Sequence, residues 1–370
     1  MKLSTIESYV ALNLIEHVGP ILLKRLLDAF GEPQKILSAS RKELLRVQGV
    51  GEVVADSISN WEQSADLQGE LKRIRDANVR VLSWADAEYP ENLRTIADPP
   101  IVLYVKGKLE PRDKNAIAIV GSRMATLYGQ ETARQLGYQL AYAGFTVVSG
   151  GARGIDTMAH QGALAAKGRT LCVLGTGIDI VFPPENDALF EKIVETGGAL
   201  MTQFPFGRQG DTQSFPIRNR IVSGLSLGLV VVEADVNSGA MITAAMAADQ
   251  GRQVYAVPGR IDTPRSRGCH KLIKNGAKLV ENSEDILCDF EYLLPTATRS
   301  QGKAGAKTTG SPLTELERKI LDAIGDEEAE MDIVTRQTQL TTAQVSATLC
   351  ALEMKRLVKQ LPGKRFVRAR

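Results

Sequence analysis

In the middle of this chain, arginine recurs where glycine does. Arg123 follows Gly121-Ser122, Arg153 stands within Gly150-Gly151-Ala152-Arg153-Gly154, and Arg218-Asn219-Arg220 lies inside FPIRNRIVSG, residues 215–224. A guanidinium is a planar multi-donor fork that suits phosphate or carboxylate oxygens. Glycine lets the backbone come close to a ligand and adopt positive φ. Together they imply anion binding, and a buried carboxylate, an anionic small molecule or a phosphate backbone would each fit. Gly175-Thr176-Gly177 and Ser238-Gly239 add two further small-residue loops. Asp156 and His160, spaced i,i+4, make an incomplete metal set. We read Asp156 as a helix cap and His160 as packed against the loop. Glu233 ends an apolar run with no second carboxylate or nucleophile evident nearby, so a structural pairing with an arginine is expected. GxxxxGK[ST] is missing, and the first glycine loop lacks GxGxxG with a ribose-binding acid downstream. Neither triphosphate hydrolysis nor a dinucleotide is therefore expected, and no cofactor is implied.

These loops need strands to present them. Ala116–Val120, Thr146–Ser149, Thr170–Leu174, Ala199–Thr202, Leu229–Glu233 and Gln253–Val257 are almost continuous apolar runs, as in parallel strands buried on both faces. Helical stretches separate several of them. This βαβ rhythm predicts an α/β fold, a Rossmann-like, doubly wound and mainly parallel sheet. Right-handed crossovers would collect the glycine loops on one edge, where such folds bind ligands. Every doubly wound fold uses glycine at tight turns, so the arginines carry the signal. Phe215 beside them offers a ring for stacking, which favours single strands over a duplex.

Shorter units flank this core. The stretch 1–85 is helical in period, with glycine turns at His17–Pro20 and Gln48–Gly51. The second turn resembles a helix-hairpin-helix unit, whose free N–H groups can approach a phosphate; a plain helical bundle is the alternative. Residues 295–312, PTATRSQGKAGAKTTGSP, have linker composition. Leu316–Ala323, Asp332–Gln337 and Thr342–Leu357 then read as three helices with helix-turn-helix spacing. Gln360–Ala369 reads as a wing turning at Pro362-Gly363. Lys355, Arg356, Lys359, Lys364, Arg365, Arg368 and Arg370 make this end basic, for contact with nucleic acid or with protein. The expected boundaries are a helical domain at 1–85, the core at 86–293, a linker at 294–311 and a winged-helix-like domain at 312–370. The formal net charge of +2 selects no partner. No apolar run reaches the ~18 residues of a membrane span. Glu7 and Glu16 argue against a signal peptide. Cys172, Cys269, Cys288 and Cys350 are far apart, which fits reduced thiols in a cytoplasm.

IVGSR (119–123), VVSGGARGID (147–156) with His160, LGTGID (174–179), FPIRNRIVSG, VVVEA (230–234), SGAMITA (238–244), QGRQVYAVPG (250–259) and LIKNGAKL (272–279) occur in the order and spacing of one family. From 119 to 279 the chain resembles DprA, the bacterial DNA-processing proteins also called Smf. The resemblance implies a core that binds single-stranded DNA without catalysis and dimerises, with apolar residues near Leu272–Leu287 as interface candidates. It also implies loading of RecA onto incoming strands during natural transformation. Carried over, the DNA pocket would use Gly121, Ser122, Arg123, Gly150, Gly151, Arg153, Gly154, Arg218, Asn219 and Arg220. Phe215, Ser238 and Gly239 join them from the residue chemistry above. Two departures stand out. Some relatives place a lysine just before the Phe-Pro-x-Arg-Asn-Arg motif, whereas here Arg208 is the nearest cation. SGAMITA replaces the more usual Ser-Gly-Ser-Leu. A nucleotide-binding enzyme of the phosphoribohydrolase type is the alternative, but its Pro-Gly-Gly-x-Gly-Thr-x-x-Glu motif is missing. A protein-binding scaffold is the third reading.

Overall fold

The computed structural model describes residues 3–293, 315–324, 329–338, 340–354, 357–361 and 365–368. Its contacts divide the chain into two compact units, Met1–Leu294 and Pro295–Arg370. In the first unit, nine strands form one sheet: β1 Arg80–Ser83, β2 Val102–Gly107, β3 Ala116–Gly121, β4 Thr146–Ser149, β5 Thr170–Val173, β6 Ala199–Thr202, β7 Gly228–Val232, β8 Gln253–Ala256 and β9 Lys278–Leu279. Their order is β1-β2-β6-β5-β4-β3-β7-β8-β9. Strand β2 runs antiparallel to β1 and β6, and every other pairing is parallel. The mixed, mainly parallel sheet is the expected fold class. The six anticipated strands are present to within a residue at their ends. Strands β1, β2 and β9 go beyond that expectation. Strand β1 opens on the exposed Arg80, β2 follows a Pro-Pro pair, and β9 has two residues, too few for any periodicity.

Alternation along the buried strands builds a core on each face. Ala118, Val120, Leu229 and Val231 face Ile221 and Val222 on one side. Ile117, Ile119, Val230 and Val232 face Leu136, Leu140 and Ile155 on the other. Strand order reverses between β3 and β7, because β4 to β6 lie to one side of β3 while β7 to β9 lie to the other. Loops leaving β3 and β7 therefore part around a crevice, the place where open α/β sheets receive ligands.

The helical N-terminal stretch does not stand apart from the sheet. Leu12, Leu23, Leu26, Ile36 and Ile58 form one buried cluster with Val102, Tyr104, Cys172, Phe190 and Leu200 of the core. The helices thus cover an apolar sheet surface that would otherwise face water.

The second unit holds helices Glu315–Ile324, Met331–Thr338 and Thr342–Met354 with strands β10 Ala329–Glu330, β11 Val358–Leu361 and β12 Arg365–Arg368. Strand β12 pairs antiparallel with both others. Ile320, Val334, Val345, Leu352 and Phe366 fill its core. The arrangement is a winged helix, with β11 and β12 as the wing. Arg368 is tied to Leu321 O and to Asp322 at 3.1 Å. The linker at 294–311, the Pro362-Gly363 turn, and Lys355, Arg356, Lys364 and Arg370 lie outside the described residues, as does the side chain of Lys359.

A fragment ending at Leu294 should fold and melt cooperatively, and within it Leu12→Ala should cost about 2–5 kcal/mol in denaturant unfolding. A cost near zero would show that the helical region does not share the core.

Candidate nucleic-acid interface

A cavity of about 580 Å³ opens at the crevice between β3 and β7. Gly121, the last residue of β3, lines it with Ser122, Arg123 and Met124 of the loop that follows, and the loop after β4 contributes Gly150 and Ala152. Helix Ser214–Gly224 contributes Phe215, Arg218 and Asn219, and the far side carries Ser238, Gly239 and Arg265.

The helix begins where Asp211 stops the preceding loop. Asp211 Oδ1 accepts from Gln213 N at 2.9 Å and from Ser214 N at 2.6 Å. Arg218 and Arg220 both lie within the regular helix, so about 200° separates their directions. One ligand cannot take both. Arg218 is buried and donates from Nη1 to Gly150 O and Val173 O, the ends of β4 and β5. Burial lowers its proton affinity, and Asp156 opposes that shift. Arg220 leaves the cavity altogether. It donates to Asp98 O and Gln203 Oε1 and pairs with the Asp98 carboxylate at 3.4 Å. Placing Arg220 in the pocket is therefore corrected: its charge holds the wall from behind.

Asp156 is buried, and Oδ2 accepts from Gly150 N at 3.1 Å and Ala152 N at 3.3 Å. It fastens the preceding loop as well as sitting in the first helical turn. Burial raises its pKa, while Arg218 and these amides pull it back. His160 sets Nδ1 against Thr170 Oγ1 at 2.7 Å, and burial pulls its pKa down to about 3. It stays neutral at physiological pH. Among the described residues, no three His, Cys, Asp or Glu side chains gather as a metal set.

Glu233 departs from expectation. Among the described residues it pairs with no arginine; it accepts from Thr126 N at 2.8 Å and from Thr126 Oγ1. Its own carbonyl accepts from Ser122 N at 2.7 Å. With φ at 53°, it occupies a region that costs a non-glycine residue energy. Both ends of the Ser122–Thr126 loop thus hang from one residue at the end of β7, which aims Arg123.

Arg123 is exposed, with its Cζ 4.9 Å from the centroid of the Phe215 ring. The Phe182 ring lies 5.5 Å from it, tilted by 37°. Arg153 is exposed beside the cavity and pairs with Glu185 at 2.5 Å. Gly151 and Gly154 do not line the cavity; they shape it. A side chain on Gly151 would strike Cys172 and Phe190, and one on Gly154, whose φ is 76°, would strike the Ser122 and Arg123 backbone. Ser238 caps helix Gly239–Asp249 without the usual side-chain bond, and its shielded hydroxyl has no partner among the described residues. Sequence reasoning missed Met124, Thr212, Asp235, Ile242, Thr243 and Arg265, all cavity-lining. Arginine in the first turn of a helix after β8 was the one legible cue.

Fold and site define a protein of the open α/β type, with amide and guanidinium donors at the strand ends. The chain belongs to the DNA recombination-mediator protein A family, whose model matches residues 80–291. The DprA winged helix domain matches residues 304–364, and a helix-hairpin-helix motif matches 10–69. Protein Smf of Synechocystis is 34% identical over 97% of this chain and 98% of its own. The structure of DNA processing protein A from Streptococcus pneumoniae superposes with a TM-score of 0.67 at 32% identity, covering 78% of this chain and 99% of that one. DNA processing protein A from Helicobacter pylori, described for its single-stranded DNA binding mode, gives 0.53 at 26%, covering 59% of this chain and 99% of that one.

Arg218→Met should lower stability by about 3–5 kcal/mol, since it leaves two interior carbonyls without their donor and removes the positive charge that offsets the buried Asp156. Arg123→Ala should leave the melting temperature unchanged. Equal melting in both variants would remove the distinction between the buried strut and the free cation.

Proposed function

We propose that the cavity at the β3–β7 crevice binds single-stranded DNA, and that the chain acts on DNA as a mediator rather than as an enzyme. The observation that carries this is the pairing of Arg123 with Phe215 at the mouth of an amide-lined cavity. A guanidinium neutralises a phosphate while a ring accepts a base face, and neither reads sequence. Gly121, Ser122, Gly150, Asn219, Ser238 and Gly239 would contact the strand, Arg153 would extend the track, and Arg218, Arg220, Gly151 and Gly154 would shape the pocket. The single-stranded DNA binding mode of the Helicobacter pylori relative supports the same ligand.

The two buried carboxylates near the cavity, Asp156 and Glu233, are each engaged by backbone amides. That leaves little for general acid–base work on a glycosidic bond, so the phosphoribohydrolase alternative loses its candidates. Family membership further supports homodimerisation through the Rossmann-like core, loading of RecA onto the bound strand during natural transformation, and a cytoplasmic setting. Among the described residues, no helix is long and apolar enough to cross a membrane.

Oligo-dT should bind more tightly than a duplex of equal length, with no release of phosphate from ATP or of base from AMP. Arg123→Ala should weaken all single strands alike and reduce the slope of log affinity against log salt by about 0.7. Equal duplex binding, or an unchanged slope, would overturn the pocket assignment.

A further inference from the structure

Arg265 is the cation that the family motifs do not point to. It lies one residue into helix Pro264–Lys274, on the β7–β8 side of the crevice, whereas Arg123 stands on the β3 side. Its side chain lines the cavity and is half-buried, yet no hydrogen bond or ion pair engages it among the described residues. Four other arginines in this part of the molecule are matched, Arg153 with Glu185, Arg208 with Asp211, Arg220 with Asp98 and Arg260 with Asp262, whereas Arg267, two residues on, is exposed to water. Asp235 lines the same cavity, but its carboxylate accepts from Val236 N at 2.6 Å.

The placement is unfavourable within the chain alone. A cation in the first helical turn opposes the helix dipole, and this turn has no acidic residue to offset it. Partial burial also removes water from the guanidinium without supplying an acceptor. Local rules broken without internal compensation are expected at functional sites. A bound anion would meet all three conditions at once: it would face the dipole favourably, accept from the guanidinium and offset its lost hydration. Ser238, with its unpartnered hydroxyl, lies on the same side of the cavity and offers one more donor.

We propose that Arg265 is a phosphate-binding residue of this cavity, taking a second phosphodiester of the strand whose neighbouring phosphate meets Arg123. This rests on the reading of the cavity as a single-stranded DNA site. The strand then crosses the crevice, held at a guanidinium on each side. Phe215 serves one side with a stacking face, and the exposed apolar side chains of Met124 and Ile242 serve the bases between.

The test is a salt series with a short oligo-dT and the full chain, comparing Arg265→Ala, Arg265→Lys, Arg267→Ala and Arg123→Ala. Arg267 is exposed, outside the cavity lining and about 200° further round the helix, so it reports the general loss of one charge. Arg265→Ala should weaken binding roughly tenfold and flatten the slope by about 0.7, without moving the melting temperature. Arg265→Lys should keep the slope, because an ammonium still neutralises a phosphate. Loss of slope in the lysine variant, or an alanine variant indistinguishable from Arg267→Ala, would overturn the proposal while Arg123→Ala upholds the pocket. Wild-type slopes in both Arg123→Ala and Arg265→Ala would remove the pocket assignment and this inference together.

Discussion

One buried charge organises the site. Arg218 is held in the interior by the carbonyl oxygens of Gly150 and Val173 and by the field of Asp156. A guanidinium in that environment is tolerable only if its donors are met, so the ends of β4 and β5 and the helix Ser214–Gly224 must keep fixed positions relative to one another. Gly150 follows from the same constraint, since a side chain there would overlap the Arg218 guanidinium. Asp156 completes the arrangement by binding the amides of Gly150 and Ala152. The cavity floor is thus a small electrostatic unit, and the loops above inherit its rigidity.

From that unit follows a division of labour among residues of one type. Arg218 and Arg220 are consumed by the fold, while Arg123 and Arg265 retain donors that nothing among the described residues takes. The consumed arginines still matter to an anion, because a buried positive charge raises the potential of the cavity above it. In the proposed site their contribution is positional and electrostatic; that of Arg123 and Arg265 would be direct contact. Glu233 belongs with the first group. Its strained backbone and its two bonds to Thr126 fix the loop that carries Arg123.

The sheet was legible because strands β3 to β8 are short apolar runs with glycine at or near the ends of several, and buried parallel strands permit little else. The cavity was legible for the same reason: every doubly wound sheet gathers those glycines on one edge. The direction of each arginine was not. Arg220 meets Asp98 across 122 positions, and neither spacing nor charge run records such a pairing. The pairing expected for Glu233 failed similarly, because Thr126, a neutral partner 107 positions away, carries no charge cue. Arg265 escaped notice since it lies in a stretch between motifs, although its first-turn placement was visible in the sequence.

The N-terminal helices bear on the site through the segment that follows β6. Asn13 donates to Gln203 O at 3.1 Å, and Phe206 N donates to the fully buried Glu70 at 3.1 Å. Gln203 in turn accepts from Arg220 through its side chain. From the other side, Asp179 takes Gly207 N at 2.9 Å. The connection from β6 to helix Ser214–Gly224 is therefore fastened along its first half, from Gln203 to Gly207, before it reaches Phe215. A helical region that merely tethered a second function would not need to bury Glu70 against this connection. Burying a carboxylate is costly unless it is bonded, and here the bonds it makes are to Arg73 and to the backbone of that segment. The shared hydrophobic core and the buried carboxylate both couple the N-terminal helices to the wall of the cavity. The helical region is part of what keeps Phe215 and Arg123 facing the same opening.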